Sequence, residues 1–163
     1  MKATTYRRSA GFTIVELLIV VVVIAILAAI TIVAYNGIQN RAHDSAIQND
    51  LKQFGTIMEL YKADNGSYPP LNGLTPSMGI KLAKSSYGRD GQNRNASYCV
   101  NETTGQYIFY ALSKSGNNFQ IKSNEGIQSA PAVTGYNICA RVGVIGVQPN
   151  QGLQPNSWEA WTN

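Results

Sequence analysis

From Leu17 to Ala34 the chain runs for 18 residues with only Thr31 interrupting its aliphatic and alanine side chains. That length suits a bilayer crossing, which needs about 20 apolar residues. No second segment approaches it, so a polytopic membrane protein is disfavoured, and the remainder of the 163-residue chain is polar, Gly-rich and Asn-rich. One folded head is expected, because any second unit in 17.7 kDa would be very small. The formal charge of +4 looks like a nucleic-acid signal until it is mapped. Lys2, Arg7 and Arg8 precede the apolar run, and outside residues 1–11 the 10 basic and 9 acidic residues nearly balance. A generally basic polyanion binder is therefore disfavoured. Positive charge ahead of a spanning segment is retained in the cytoplasm, which sends residues 36–163 across the membrane.

An ordinary secretory signal has an apolar region of roughly 7 to 15 residues followed by an A-x-A-like cleavage site. Here the run is longer and no A-x-A occurs between Phe12 and Asp50. A plain signal anchor fits the length but leaves Glu16 unexplained. A carboxylate one turn into an apolar helix is expensive in lipid and calls for a partner, yet no basic residue lies within four positions of it. If the chain is cut between Gly11 and Phe12, the new α-amino group is a cation on the same helix. The first turn points that group along the axis, so a neighbouring copy displaced along its own axis is the better placed partner. A carboxylate that snorkels or takes up a proton is the alternative.

Gly11-Phe12-Thr13-Ile14-Val15-Glu16-Leu17-Leu18, after a short basic leader and before an aliphatic run, resembles the class III leader and N-terminal helix of type IV pilins and pseudopilins. Tyr61-Lys62-Ala63-Asp64-Asn65-Gly66-Ser67-Tyr68-Pro69 is similar to the segment that closes the long helix in many pseudopilins. Together these motifs cover roughly the first 70 residues. The resemblance implies that a prepilin peptidase cleaves after Gly11 and methylates Phe12. It implies that Glu16 pairs with the terminal amine of a neighbouring subunit, and that a pilus assembly platform draws copies from the membrane into a homopolymer. Localisation would be the inner membrane with the N-terminus in the cytoplasm, then the cell surface. Many pilins carry Gly and Pro where this chain has Ala25 and Val33, so continuous helix is expected here, with Tyr35-Asn36-Gly37 as the one softer place.

Beyond Gly37, apolar Ile47, Leu51, Phe54, Met58 and Tyr61 recur at spacings of 4, 3, 4 and 3, the pattern of an amphipathic helix that needs a cover on one face. Asn65-Gly66 should end it, and Pro69-Pro70 prevent its continuation. The expected organisation is a leader at 1–11, an apolar half-helix at 12–35, an amphipathic half-helix at 36–64, a connecting loop at 65–96 and an antiparallel sheet head with its tail at 97–163. The loop is expected to hold a short helical turn near Met78 to Lys84. Strands are expected at Ser97–Val100, Gln106–Ser113, Asn118–Ser123 and Asn137–Val147, with a hairpin across Lys114-Ser115-Gly116-Asn117. The fold class is α+β, pilin-like. The tail from Gln148, with Trp158 and Trp161, has no usable period; core packing is the default for its tryptophans.

Cys99 and Cys139 are the only cysteines, and on an exported head a disulfide between them is favoured over two buried thiols. No cofactor is implied. A single histidine, His43, beside Asp44 on the polar helix is expected at the surface, and two cysteines 40 apart give no zinc spacing, so no metal site is expected. No nucleophile motif, phosphate-cradling loop or carboxylate pair stands out, and the chain is not read as an enzyme. Lys81, Lys84, Arg89 and Arg94, interleaved with Tyr87 and Tyr98, make DNA contact an alternative. The chain would then be a minor pilin or pseudopilin that tethers a binding module for DNA or a surface ligand.

Overall fold

The computed structural model describes residues 11–89, 95–132, 138–143, 150–151 and 158–162. The chain divides into two compact units, residues 1–38 and 39–163. A single 52-residue helix, α1 (Ile14–Asn65), opens it.

Within residues 14–38 the helix has no covered face: every residue is exposed, from Val22 at 48% to Ile14 at 86% among the large apolar side chains. Nothing in this stretch breaks it. Proline is absent and the helix passes through Tyr35-Asn36-Gly37 unbroken, so backbone hydrogen bonding is satisfied along the run. The one polar side chain of the apolar run is also served, since the Thr31 hydroxyl donates to the Ala28 carbonyl at 2.9 Å.

In the second unit the same helix is amphipathic. Ile47, Leu51, Phe54 and Met58 are buried as their spacing predicts, whereas Tyr61 is half-buried. At the helix end Gly66 takes φ 81, where a side chain would be strained, and its amide donates to the Lys62 carbonyl at 2.8 Å. The sheet consists of β1 (Ala96–Asn101), β2 (Gln106–Leu112), β3 (Asn118–Lys122), β4 (Gln128–Ser129) and β5 (Asn150–Gln151). Its order is β4-β3-β2-β1-β5 with antiparallel neighbours throughout.

Strand alternation sends Ala96, Tyr98 and Val100 of β1 and Tyr107, Phe109 and Ala111 of β2 onto the helix. Phe54 lies at the centre, stacked on Phe109 with ring centroids 4.0 Å apart and flanked by Tyr98 and Tyr107. Helix and sheet approach closely beside Gly55, where an added Cβ would come within 2.7 Å of Ile121 Cδ1.

The opposite face of the sheet is covered too. Cys99, Ile108 and Tyr110 form a second apolar cluster with Ile138, Cys139 and Val142. The strand expected over Asn137–Val147 is corrected here: Cys139–Val142 is a 3₁₀ turn ended by Gly143 at φ 79, and residues 137 and 144–147 lie outside the described ones. Ile138 at the start of the turn and Val142 at its end are both buried on the sheet. The helical turn expected at Met78–Lys84 also falls elsewhere. Short 3₁₀ turns occupy Pro76–Met78 and Lys84–Ser86, while between them Ile80 and Leu82 are buried and Lys81 is exposed, the alternation of extended chain. From the tail, β5 pairs with Ser97 and Tyr98, and the 3₁₀ turn Ala160–Thr162 lies against Pro76–Met78 with Thr162 fully buried.

Candidate functional site

The start of α1 is built by two residues acting on each other. Thr13 donates to Glu16 Oε2 from its backbone amide at 2.8 Å and from its hydroxyl at 2.7 Å, and the Glu16 amide donates back to Thr13 Oγ1 at 3.2 Å. This is a reciprocal capping box: orphan amides of the first turn are satisfied, and the carboxylate sits where the helix end is positive. The role of Thr13 was missed in the sequence, although T-x-x-E before an apolar run is the signal for it. Gly11 and Phe12 just ahead are both exposed, Phe12 at 85%. An added Cβ at Gly11 would meet nothing within 4 Å.

In the second unit Cys99 and Cys139 form a disulfide, with Cα atoms 5.3 Å apart. It ties the turn over the sheet's outer face to β1. Asn101 assists at the far end of that turn by donating from Nδ2 to the Val142 carbonyl at 2.8 Å.

Two carboxylates hold loops onto the helix. Asp44 accepts from the Ser115 hydroxyl and, at 2.8 Å, from Asn117 Nδ2, and so fastens the β2–β3 hairpin. Partial burial works against its ionised form, but hydrogen bonds from Ser115, Ser113 and Asn117 outweigh that and lower its pKa. Asp50 is buried and accepts from the Ala83 amide at 2.6 Å. Burial raises its pKa, and the Ala83 amide and the nearby Tyr87 hydroxyl draw it back only part of the way. His43, expected at the surface, is half-buried against the Ser86 hydroxyl at 3.2 Å. None of these partners is close in sequence, so no local pattern announced them. Among the described residues no group of three or more His, Cys, Asp and Glu side chains is placed to hold a metal.

The aromatic residues interleaved with the basic cluster are otherwise engaged. Lys81, Lys84 and Arg89 are exposed, and Arg94 lies outside the described residues. Tyr98 is fully buried and donates to the Pro69 carbonyl at 2.7 Å. Tyr87 is buried with its ring edge-on to Trp158 at 5.4 Å, and Lys84 Nζ stands 5.7 Å from that tryptophan ring. The expectation that these tyrosines offer stacking faces to bases is corrected: both are core residues.

The α+β architecture, with one helix long and apolar enough to cross a membrane and an antiparallel sheet packed on its amphipathic part, is that of a pilin-like protein. Residues 6–32 match the prokaryotic N-terminal methylation motif. The chain is 35% identical over 95 residues to PilA4, the type IV wide pilus major component of Thermus thermophilus, which covers 58% of this chain and 72% of that one. It is 33% identical over 63 residues to the type II secretion system core protein G of Pseudomonas aeruginosa, covering 39% of this chain and 44% of that one. Against the core protein G of Escherichia coli it is 32% identical over 72 residues, covering 44% and 48%. It therefore spans less than half of these secretion-system relatives. The chain belongs to the type IV pilin and pseudopilin family of structural filament subunits.

Proposed function

We propose that this chain is inserted with its N-terminus in the cytoplasm, cleaved by a prepilin peptidase after Gly11, methylated on Phe12 and polymerised through its N-terminal helix. The reading rests on one observation: an acid capped by Thr13 stands at the head of an apolar helix that no part of its own unit covers. In lipid such a carboxylate is expensive, and the two donors of Thr13 offset part of that cost in the free subunit. Cleavage turns the Phe12 amide nitrogen into a cation. A neighbour's ammonium is a stronger partner for Glu16 than a neutral hydroxyl, so assembly exchanges an internal bond for an ion pair between copies. Moving apolar side chains from lipid to protein contributes little by itself, which leaves packing and this pair to set the register.

With Glu16→Val, membrane insertion and cleavage are expected to persist while filaments disappear from electron micrographs. Filaments at normal abundance in that variant would overturn the register role. N-terminal sequencing of the exported form is expected to begin at Phe12, and a start elsewhere would overturn the peptidase step. The share of this chain in sheared surface fibres separates a major subunit, which dominates that fraction, from a minor or secretion-type one.

A further inference from the structure

Among the described residues of 39–163, two large apolar side chains stand exposed, Leu60 at 61% and Ile127 at 36%, and both line the same open groove of about 760 Å³. Its floor exists because Gly55 has no side chain, which leaves Ile121 at the bottom. Its rim carries Glu59 and Glu125, both exposed, along with Lys52 and Lys122. Lys122 is already paired with Glu125 at 3.5 Å, whereas Glu59 accepts from the neutral Tyr68 hydroxyl and has no ion pair among the described residues. An apolar slot whose rim holds an acid without an ion pair among the described residues asks for an apolar side chain followed by a base.

The same helix, α1, carries that combination on its own surface. Ile38 is 66% exposed, and Arg41, three residues on and therefore on the same side of the helix, is exposed with no ion pair among the described residues. We infer that the groove between helix residues 55–60 and the β3–β4 loop receives Ile38 of a second copy, with that copy's Arg41 against Glu59. Ridge and groove are different surfaces, so the contact is heterologous. It leaves a free ridge and a free groove at the two ends of any assembly, and thus propagates instead of closing as a dimer. The inference rests on the filament reading above and adds a second, head-level joint to the one at Glu16.

The test uses full-length protein in assembling cells. Ile38→Cys with Leu60→Cys should give, on oxidation of sheared filaments, a ladder of linked multimers on non-reducing gels, and neither single variant should do so. Cys99 and Cys139 are already bonded to each other and do not compete. Leu60→Asp is expected to lower filament yield about tenfold or more at an unchanged level of cleaved subunit, and Arg41→Glu to lower it less. Leu60 is exposed, so its change should leave the melting temperature of the detergent-solubilised subunit in place. Normal filaments from Leu60→Asp and no ladder from the double variant would overturn the groove contact while leaving the filament reading intact. Absence of filaments from the unsubstituted chain would overturn both.

Discussion

Residues 14–38 and 39–65 belong to one helix, yet they are stable for different reasons. The first stretch is apolar around its whole circumference and exposes every residue. The second confines its fully buried apolar side chains to one stripe through Ile47, Leu51, Phe54 and Met58, against a sheet. Backbone hydrogen bonds hold the first together, and its side chains await lipid or other copies. Tertiary packing holds the second, as it does most helices in water. Apolar composition alone therefore says little about where a core lies; the distribution of apolar residues around the helix does.

This contrast breaks most sharply at the disulfide. Replacing Cys99 and Cys139 with Ala should cost the second unit about 4 kcal/mol, the chain-entropy value for a loop of this size. The helical signal of residues 14–38 should be unaffected, which urea unfolding followed by near- and far-ultraviolet circular dichroism would read separately. Leu51→Ala should cost about 3 kcal/mol by the same measurement, while Leu27→Ala, at a side chain 57% exposed, should stay within about 0.5 kcal/mol. Equal costs at these positions would refute the division. Gly55→Ala sets a helix gain of about 1 kcal/mol against crowding of Ile121 worth about 1–3 kcal/mol, so a net loss of about 1 kcal/mol is expected in thermal melts.

The smallest effects are those of pH. Asp44 has a lowered pKa in the fold, so its contribution is present above the usual aspartate range near pH 4 and is lost as pH falls through the folded value. Asp50 behaves oppositely: with its pKa raised, the fold is favoured while the group is protonated and loses that advantage as pH rises through the folded value. Asp44→Asn should flatten the acid limb of a stability profile and Asp50→Asn should steepen it. Matching slopes in the two variants would contradict the environments described for them.

Much of the molecule was legible because its signals are local. The uninterrupted helix, the capping glycine at 66, the strands β1 to β3 and their hairpin all follow from periodicity and turn chemistry within a few residues. The 3₁₀ turn at Cys139–Val142 was misread as strand because β-branched residues surround it. Tyr87 and Tyr98 were misjudged for another reason. Each stands beside a basic residue of the same segment, Lys84 and Arg89 for Tyr87 and Arg94 for Tyr98, and the partners that show them to be interior, Trp158 and Pro69, lie far along the chain in each case. Likewise the anchoring roles of Asp44 and Asp50 depend on partners 71 and 33 residues away.

Sequence alone determined that one helix would be apolar without a face and then amphipathic, because side-chain periodicity is a property of neighbouring residues. It also marked the acid at the head of that helix. Tertiary structure decided which tyrosines are buried, that the sheet is covered on both faces, and that Leu60 and Ile127 share one groove. Those facts depend on residues that sequence keeps far apart and that only the packing of strands on a helix brings within reach of one another.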